Sequence, residues 1–319
     1  MGDLLIDLIA TRVRERAGQI QQEFTTAKPF RYAIIDHFLD EGFCRELLAE
    51  FPGFDAKRAV NEYGETGRKA VFTQVAKIGP AYKRFDQLIR GEAFLSLASR
   101  LTGVPSLLYD PEYVGGGTHE NLNGQDLDPH VDFNYHPQRH WHRRLNLIVF
   151  LNPEWEENWG GCLQFHENPW AADGERAAAT VVPLMNRAVV FETNEYSWHG
   201  FRRIELPTGK EKISRRSLAV YLYTKERPAE EVASSHSTVY VPRHLSDHIQ
   251  AGRTLSEDDA VEIRDLLARR DAQLKYLYER EQELSEVLQG VVRSPSLRIG
   301  RALTWPARAL RDWAADRRR

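Results

Sequence analysis

The sequence predicts a mainly β domain with helices before it and one long helix after it, and three observations predict this. From about Leu107 to Tyr223 the chain runs in short apolar or alternating stretches separated by Gly, Pro, Asn and Asp, over 107–114, 129–135, 144–151, 161–166, 179–191, 197–204 and 215–224. Many strands at that spacing suit a sandwich or barrel and not parallel βαβ units. Upstream, Leu4, Leu5, Leu8, Ile9, Val13, Ala17 and Ile20 recur at helical intervals over residues 3–24, the pattern of an amphipathic helix. Downstream, Ser256 followed by Glu257, Asp258 and Asp259 is a strong helix start, with acids at the positive end of the dipole.

The elements between these landmarks follow in order. Tyr32 to Ile35 reads as a short strand behind Pro29-Phe30. Asp40 is a suitable N-cap for a helix through Cys44, Leu47, Leu48 and Phe51, which Pro52-Gly53 ends. Residues 54–80 are polar and irregular, 81–101 helical again, and Thr238 to Val241 a final strand. Gly115 to Asp126, opening on three glycines, reads as a long loop of the kind that serves as a lid. In the last helix Ile263, Leu267, Leu274, Leu277, Leu284, Leu288 and Val291 follow steps of three and four, broken by Arg270 and Glu281. That stripe leaves two readings open, a helix docked on its own domain and a short coiled-coil homodimer through 256–292. The predicted organisation is an N-terminal helix over 1–28, a main domain over 29–228, a connecting segment with the long helix over 229–292, and a basic tail over 293–319.

Composition narrows the function. The chain has 319 residues, 42 % of them hydrophobic and 28 % charged, with two cysteines and a net charge of −3. No apolar run approaches the roughly 20 residues of a membrane span. Cys44 and Cys162 are too few for a disulfide framework, and Asp3 and Asp7 interrupt the apolar start, so a cytoplasmic location is expected. From Arg293 onward eight arginines face two aspartates, a net +6, so the −3 of the whole chain leaves −9 for residues 1–292. An acidic body argues against nucleic acid as the main partner. The tail, with Leu297, Ile299, Leu303, Trp305, Leu310 and Trp313 among its arginines, has the make-up of a segment that associates weakly with membrane surfaces, and equally of a poorly ordered tail.

The stretch with most chemical content is Asp128-Pro129-His130-Val131-Asp132-Phe133. On a strand, residues two apart share a face with Cα atoms about 6.6–7 Å apart, so His130 and Asp132 converge on one metal while Val131 and Phe133 enter the core. With 11 histidines in the chain, such a pair arises readily by chance, and a third ligand is required. His199, in Ser197-Trp198-His199-Gly200 behind the apolar run Ala188 to Phe191, supplies it. Two histidines and one carboxylate from two non-adjacent strands make the facial triad that holds Fe(II) with open positions. In Arg215 to Tyr221, alternation places Arg215 and Ser217 on one face and Leu218 and Val220 on the other, and a guanidinium held there clamps a dicarboxylate. Arg216 is the alternative clamp, at the cost of turning Leu218 and Val220 into the cavity. His136, His140 and His142 read as a polar loop at the cavity mouth.

The order His130-x-Asp132, then His199, then Arg215-x-Ser217 sixteen residues later resembles the 2-oxoglutarate/Fe(II)-dependent dioxygenase family, in its prolyl-4-hydroxylase-like branch. Arg143 to Asn152, Trp155, Trp159-Gly160-Gly161 and Leu163-Gln164-Phe165 are similar to the family's central strand, tight turn and returning strand, and Pro29 to Leu39 to the opening of bacterial members. The resemblance spans about residues 29–225. It implies a double-stranded β-helix (jelly roll) core flanked by N-terminal helices, Fe(II) on His130, Asp132 and His199, and 2-oxoglutarate whose distal carboxylate meets Arg215 with Ser217. It also implies O2 as cosubstrate and allows L-ascorbic acid as reductant. Where the branch often carries Tyr on the central strand, the inward positions here are Asn146, Ile148 and Phe150, and Asn146 is the choice for the secondary 2-oxoglutarate contact. The activity implied is hydroxylation of an aliphatic C–H with release of succinate and CO2, by default on a prolyl residue of a protein or peptide. The alternative is a sugar or small metabolite linked to cell-surface polysaccharide biosynthesis, since Tyr276 to Arg301 resembles tails of such proteins. An alternative of another class is an inactive jelly-roll module that binds a metal or a carbohydrate.

Overall fold

The strands predicted from alternation form two antiparallel sheets in a computed structural model that describes residues 5–55, 57, 70–171, 176–246, 248–297, 299–300 and 303–304. The strands are β1 (Tyr32–Asp36), β2 (Ala70–Phe72), β3 (Leu108–Tyr109), β4 (Gly117–Asn121), β5 (Leu127–Val131), β6 (His142–Phe150), β7 (Leu163–His166), β8 (Ala179–Val181), β9 (Arg187–Glu192), β10 (Trp198–Phe201), β11 (Arg215–Thr224) and β12 (Val239–Tyr240). The larger sheet runs β1-β9-β6-β11-β4-β2, with β3 paired to β11, and the smaller runs β12-β5-β10-β7-β8. The helices are α1 (Thr11–Glu15), α2 (Ala17–Thr26), α3 (Glu41–Ala49), α4 (Pro80–Ile89), α5 (Glu92–Thr102) and α6 (Glu257–Arg293).

Period-two alternation on the central strands decides what each face of the larger sheet meets. Leu145, Leu147 and Val149 of β6 and Leu218, Val220 and Leu222 of β11 share one apolar core with Val13, Ile20, Phe43, Phe85 and Leu101 of the helices. The opposite face meets the smaller sheet, where Phe150, Val189 and Phe191 pack on Leu163, Phe165 and Val181. Helices on one face and a second sheet on the other give the jelly-roll core its inner space, in which the polar residues of β5, β6, β10 and β11 lie. Among the described residues no helix is long and apolar enough to cross a membrane.

The chain divides into two compact units, residues 1–244 and 245–319. The boundaries expected at 28/29 and 228/229 both fall inside the first unit, because α1 and α2 supply core residues to it and β12 pairs with β5. In the second unit the capping box is as expected. Ser256 Oγ accepts from Asp259 N–H, and the Asp259 carboxylate accepts from Ser256 N–H. Most of the basic tail lies outside the described residues.

Three expectations are corrected. The N-terminal helix is broken: Ile9 and Ala10 are extended, because Ile9 bridges to Leu39 and Ala10 N–H donates to Phe38 O at 3.0 Å. The helix over 81–101 is two helices separated at Arg90-Gly91. The predicted lid over Gly115 to Asp126 contains β4, a buried interior strand that pairs with both β11 and β2. Its sequence Gly-Thr-His-Glu-Asn has no apolar residue to announce burial, but Glu120 and His119 each make a hydrogen bond. Glu120 accepts from the Ser214 hydroxyl at 2.5 Å, and the His119 ring bonds Gly115 O at 3.1 Å.

Gly117 sits at φ +101°, and a Cβ there would meet Phe72 O at 2.2 Å. Gly117→Ala therefore loses about 2 kcal/mol or more of unfolding free energy, measured by urea denaturation of the full chain.

Candidate active site

The register of the smaller sheet sets His130 on β5 opposite His199 on β10, with imidazole centroids 4.2 Å apart. Asp132 leaves the end of β5, and its carboxylate reaches both rings, Oδ1 at 3.8 Å from His130 Nε2 and Oδ2 at 3.5 Å from His199 Nε2. One ligand atom from each of the three lies within 4.8 Å of the others. Nδ1 of each imidazole donates to a backbone carbonyl two residues back, Asp128 O at 3.0 Å and Ser197 O at 2.9 Å. These bonds place the ring proton on Nδ1 and turn Nε2, with its lone pair, towards Asp132. Tyr240 stacks on His130 at 5.1 Å and Phe191 meets His199 edge-on at 4.7 Å, which holds both ring planes. Two imidazoles of fixed tautomer and one carboxylate on a single face are the donor set that Fe(II) takes in facial-triad sites, so these residues fit the ion.

Asp132 is supported from the larger sheet. Asn146 Nδ2 donates to Asp132 Oδ2 at 2.8 Å, and Asn146 Oδ1 accepts from Arg143 Nε and Nη2 at 3.1 and 2.9 Å. Arg143 Nη2 also pairs with Asp132 Oδ2 at 3.1 Å. A guanidinium only donates and a carboxylate only accepts, so the orientation of the amide follows from its two neighbours. Burial alone would raise the Asp132 pKa, but the charge of Arg143 and then those of His199 and His130 hold it well below the usual carboxylate range. The amide of Asn146, expected to reach 2-oxoglutarate, is thus engaged by Asp132 and Arg143.

Arg143 was not among the predicted site residues, and the reason is geometric. Strict alternation turns it with Leu145 towards the helices, but Leu222 pairs with Leu145 and Tyr223 with Arg143, which leaves Arg144 as an extra residue on β6. The bulge inverts the side-chain parity beyond it and brings Arg143 to the face of Asn146. There its guanidinium lies 3.6 Å from the Tyr221 ring centroid and 4.5 Å from that of Phe133, fully buried. Two adjacent arginines on the edge of an apolar strand were the available signal.

Arg215 opens β11 on the inner face, buried between the rings of Phe201 at 4.4 Å and Phe150 at 5.1 Å. Its Nε donates to Gly161 O at 2.5 Å, and burial brings its pKa down to about 10 against an upward pull from Cys162. Among the described residues it has no carboxylate partner, in contrast to Arg143. Ser217 is buried two residues further along the same strand. Arg216 turns the other way, to Glu120 at 3.3 Å and the Phe51 ring at 5.5 Å. The carbonyl that steadies Arg215 depends on the Gly160-Gly161 turn. Both glycines have positive φ, and a Cβ on Gly161 would lie 2.9 Å from Trp155.

The predicted polar loop at the mouth is corrected at His136. It is fully buried, its Nδ1 accepts from Gln138 N–H and Arg139 N–H at 3.2 Å each, and its Nε2 faces Asp110 Oδ1 at 3.2 Å. Asp110 in turn accepts from Glu112 N–H and Val114 N–H at 2.8 and 2.7 Å. The grouping Asp110, Glu112 and His136 is an internally bonded anchor for two loops.

Residues 117–223 match the model of the 2OG-Fe(II) oxygenase superfamily. A stretch of 113 residues is 24 % identical to prolyl 3-hydroxylase OGFOD1 of Mus musculus and covers 32 % of this chain. The match spans about a fifth, 20 %, of the length of that relative. Among solved structures, a prolyl hydroxylase from Trichoplax adhaerens, in complex with a hypoxia inducible factor oxygen degradation domain peptide fragment, aligns at 17 % identity and TM-score 0.45, covering 69 % of this chain and 96 % of that one. A Pseudomonas putida prolyl-4-hydroxylase aligns at 16 % and TM-score 0.41, covering 66 % and 99 %. The matched residues, 117–223, include His130, Asp132 and His199, and Fe(II) and 2-oxoglutarate are the cofactors named for that superfamily.

Removing the amide that steadies Asp132 is expected to weaken metal binding without unfolding the chain. Asn146→Ala lowers affinity for Fe(II) or Co(II) about 10–100-fold, measured by anaerobic calorimetric titration, with the far-ultraviolet circular dichroism unchanged.

Proposed function

We propose that this protein is an Fe(II)- and 2-oxoglutarate-dependent hydroxylase of an aliphatic C–H, with His130, Asp132 and His199 as metal ligands and Arg215 with Ser217 as the seat of the cosubstrate's distal carboxylate. The observation that carries the reading is the pair of tautomer-fixed imidazoles facing one largely buried carboxylate. When bound, the iron with 2-oxoglutarate supplies the oxygen chemistry, and the cosubstrate leaves as succinate and CO2. The chain's share is to hold and orient. His130 and His199 keep their protons on Nδ1, Asp132 stays ionised between Arg143 and Asn146, and aromatic rings exclude water around the ligands. Arg215 offers a buried guanidinium with no carboxylate partner among the described residues, which favours a dianion with one carboxylate to spare. Asn146 and Arg143 act as positioning residues for Asp132, in place of the secondary cosubstrate contact expected of Asn146.

We take the substrate to be a prolyl residue of a protein or peptide, a reading supported by the likeness to prolyl 3-hydroxylase OGFOD1. The test is oxygen-dependent succinate release by the Fe(II)-reconstituted protein, with peptide and sugar substrates offered in parallel arms and ascorbate present or omitted. Wild type releases succinate above background and hydroxylates the peptide arm. His199→Ala falls to background. Arg215→Ala raises the 2-oxoglutarate KM by about ten-fold or more, as loss of a charge-assisted bidentate contact predicts. Equal background release by wild type and both variants refutes the enzyme reading, and turnover confined to the sugar arm refutes the prolyl one.

A further inference from the structure

The long helix α6 spans 37 residues, about 55 Å at 1.5 Å per residue. Its first turns are tied to the segment before it, through Ser246 to Glu262 at 2.8 Å and His248 to Asp259 at 2.6 Å, and Leu266 is only 4 % exposed. Beyond that point the apolar stripe is bare. Leu267, Leu274, Leu277, Leu284 and Leu288 are between 50 % and 64 % exposed, all on the one seam that steps of three and four define. Five bare leucines on one seam suit a helix that packs against another helix.

The two charged residues on the seam identify that helix. Arg270 and Glu281 lie symmetrically about the midpoint between Leu274 and Leu277, with Leu267 and Leu284 next outward, then Ile263 and Leu288. Two copies of α6 laid antiparallel about that midpoint put Leu274 against the partner's Leu277, Arg270 against the partner's Glu281, Leu267 against the partner's Leu284, and Ile263 against the partner's Leu288. Every layer is then apolar on apolar or cation on anion. A parallel, in-register pair sets Arg270 against itself and Glu281 against itself, two like-charge layers in one core. The remaining charges behave differently. Arg269 pairs with Asp265 at 2.9 Å, Arg280 with Glu283 at 2.9 Å and Lys275 with Glu279 at 3.9 Å, whereas neither Arg270 nor Glu281 has an ion-pair partner in its own chain among the described residues.

We propose that α6 is a self-association element that pairs antiparallel with a second copy of this chain, in the register fixed by two Arg270–Glu281 ion pairs. A polar pair within an apolar seam selects register and orientation at some expense of affinity.

Sedimentation equilibrium and light scattering on the full-length protein test this. The expected result is a species of twice the 36.8 kDa chain mass. Leu274→Asp with Leu277→Asp yields monomer at concentrations where wild type is dimeric. Arg270→Glu alone and Glu281→Arg alone each place like charges in two layers and raise the dimer Kd about ten-fold or more. Arg270→Glu together with Glu281→Arg restores it to within about three-fold of wild type. The rescue separates a register effect from a folding defect. A wild type that stays monomeric at about 100 μM, well above the Kd of a specific dimer, overturns the proposal. So does a dimer unaffected by the two leucine substitutions, or one that neither single charge reversal weakens.

Discussion

A carboxylate buried between two sheets has to be matched by charge and by hydrogen bonds, and the interior of the first unit is arranged around that requirement at Asp132. The Asp132 side chain is only 10 % exposed, so leaving it unpaired is strongly destabilising, by about 3–5 kcal/mol for a buried ion that loses its partner. The compensation comes from the other sheet: Asn146 donates one hydrogen bond and Arg143 both charge and a second contact. Arg143 reaches it only because β6 carries one residue more than β11 needs. The bulge, the amide and the guanidinium form one unit whose output is the orientation of a carboxylate towards two imidazoles.

The inner face holds two buried guanidinium groups with opposite situations. Arg143 is paired from within, by Asp132, Asn146 and the rings of Tyr221 and Phe133. Arg215 has a carbonyl, two aromatic faces and, among the described residues, no carboxylate. The first arrangement holds a ligand set in place. The second leaves a buried positive charge inside a body whose net charge is negative, which is the basis for proposing an anion there. The proposed dianionic cosubstrate would meet such a local excess where β11 begins.

The second unit follows a different economy. Its helix opens on a capping box and carries three ion pairs along its length, none of which involves the leucine seam. The seam's symmetry about Leu274 and Leu277, with one cation and one anion at equal distances, is what the proposed antiparallel pairing rests on.

Local chemistry made much of this protein legible. The cap at Asp40, the capping box at Ser256, the alternation of β11 and the metal pair two residues apart on β5 all depend on neighbours within a few positions, so their periods and side chains reveal them. The same holds for Arg215 and Ser217 sharing a face opposite Leu218 and Val220. What local order does not encode is which strands become neighbours. Burial of the wholly polar β4, the partnership of Asn146 with Asp132, the withdrawal of His136 into the interior and the inversion of Arg143 by a bulge each depend on a strand or loop distant in the chain. By itself the sequence determined the residue types and their faces. Only the tertiary structure decided which of those faces meet, because hydrogen-bond partners and excluded water belong to the packed sheets and not to any segment alone.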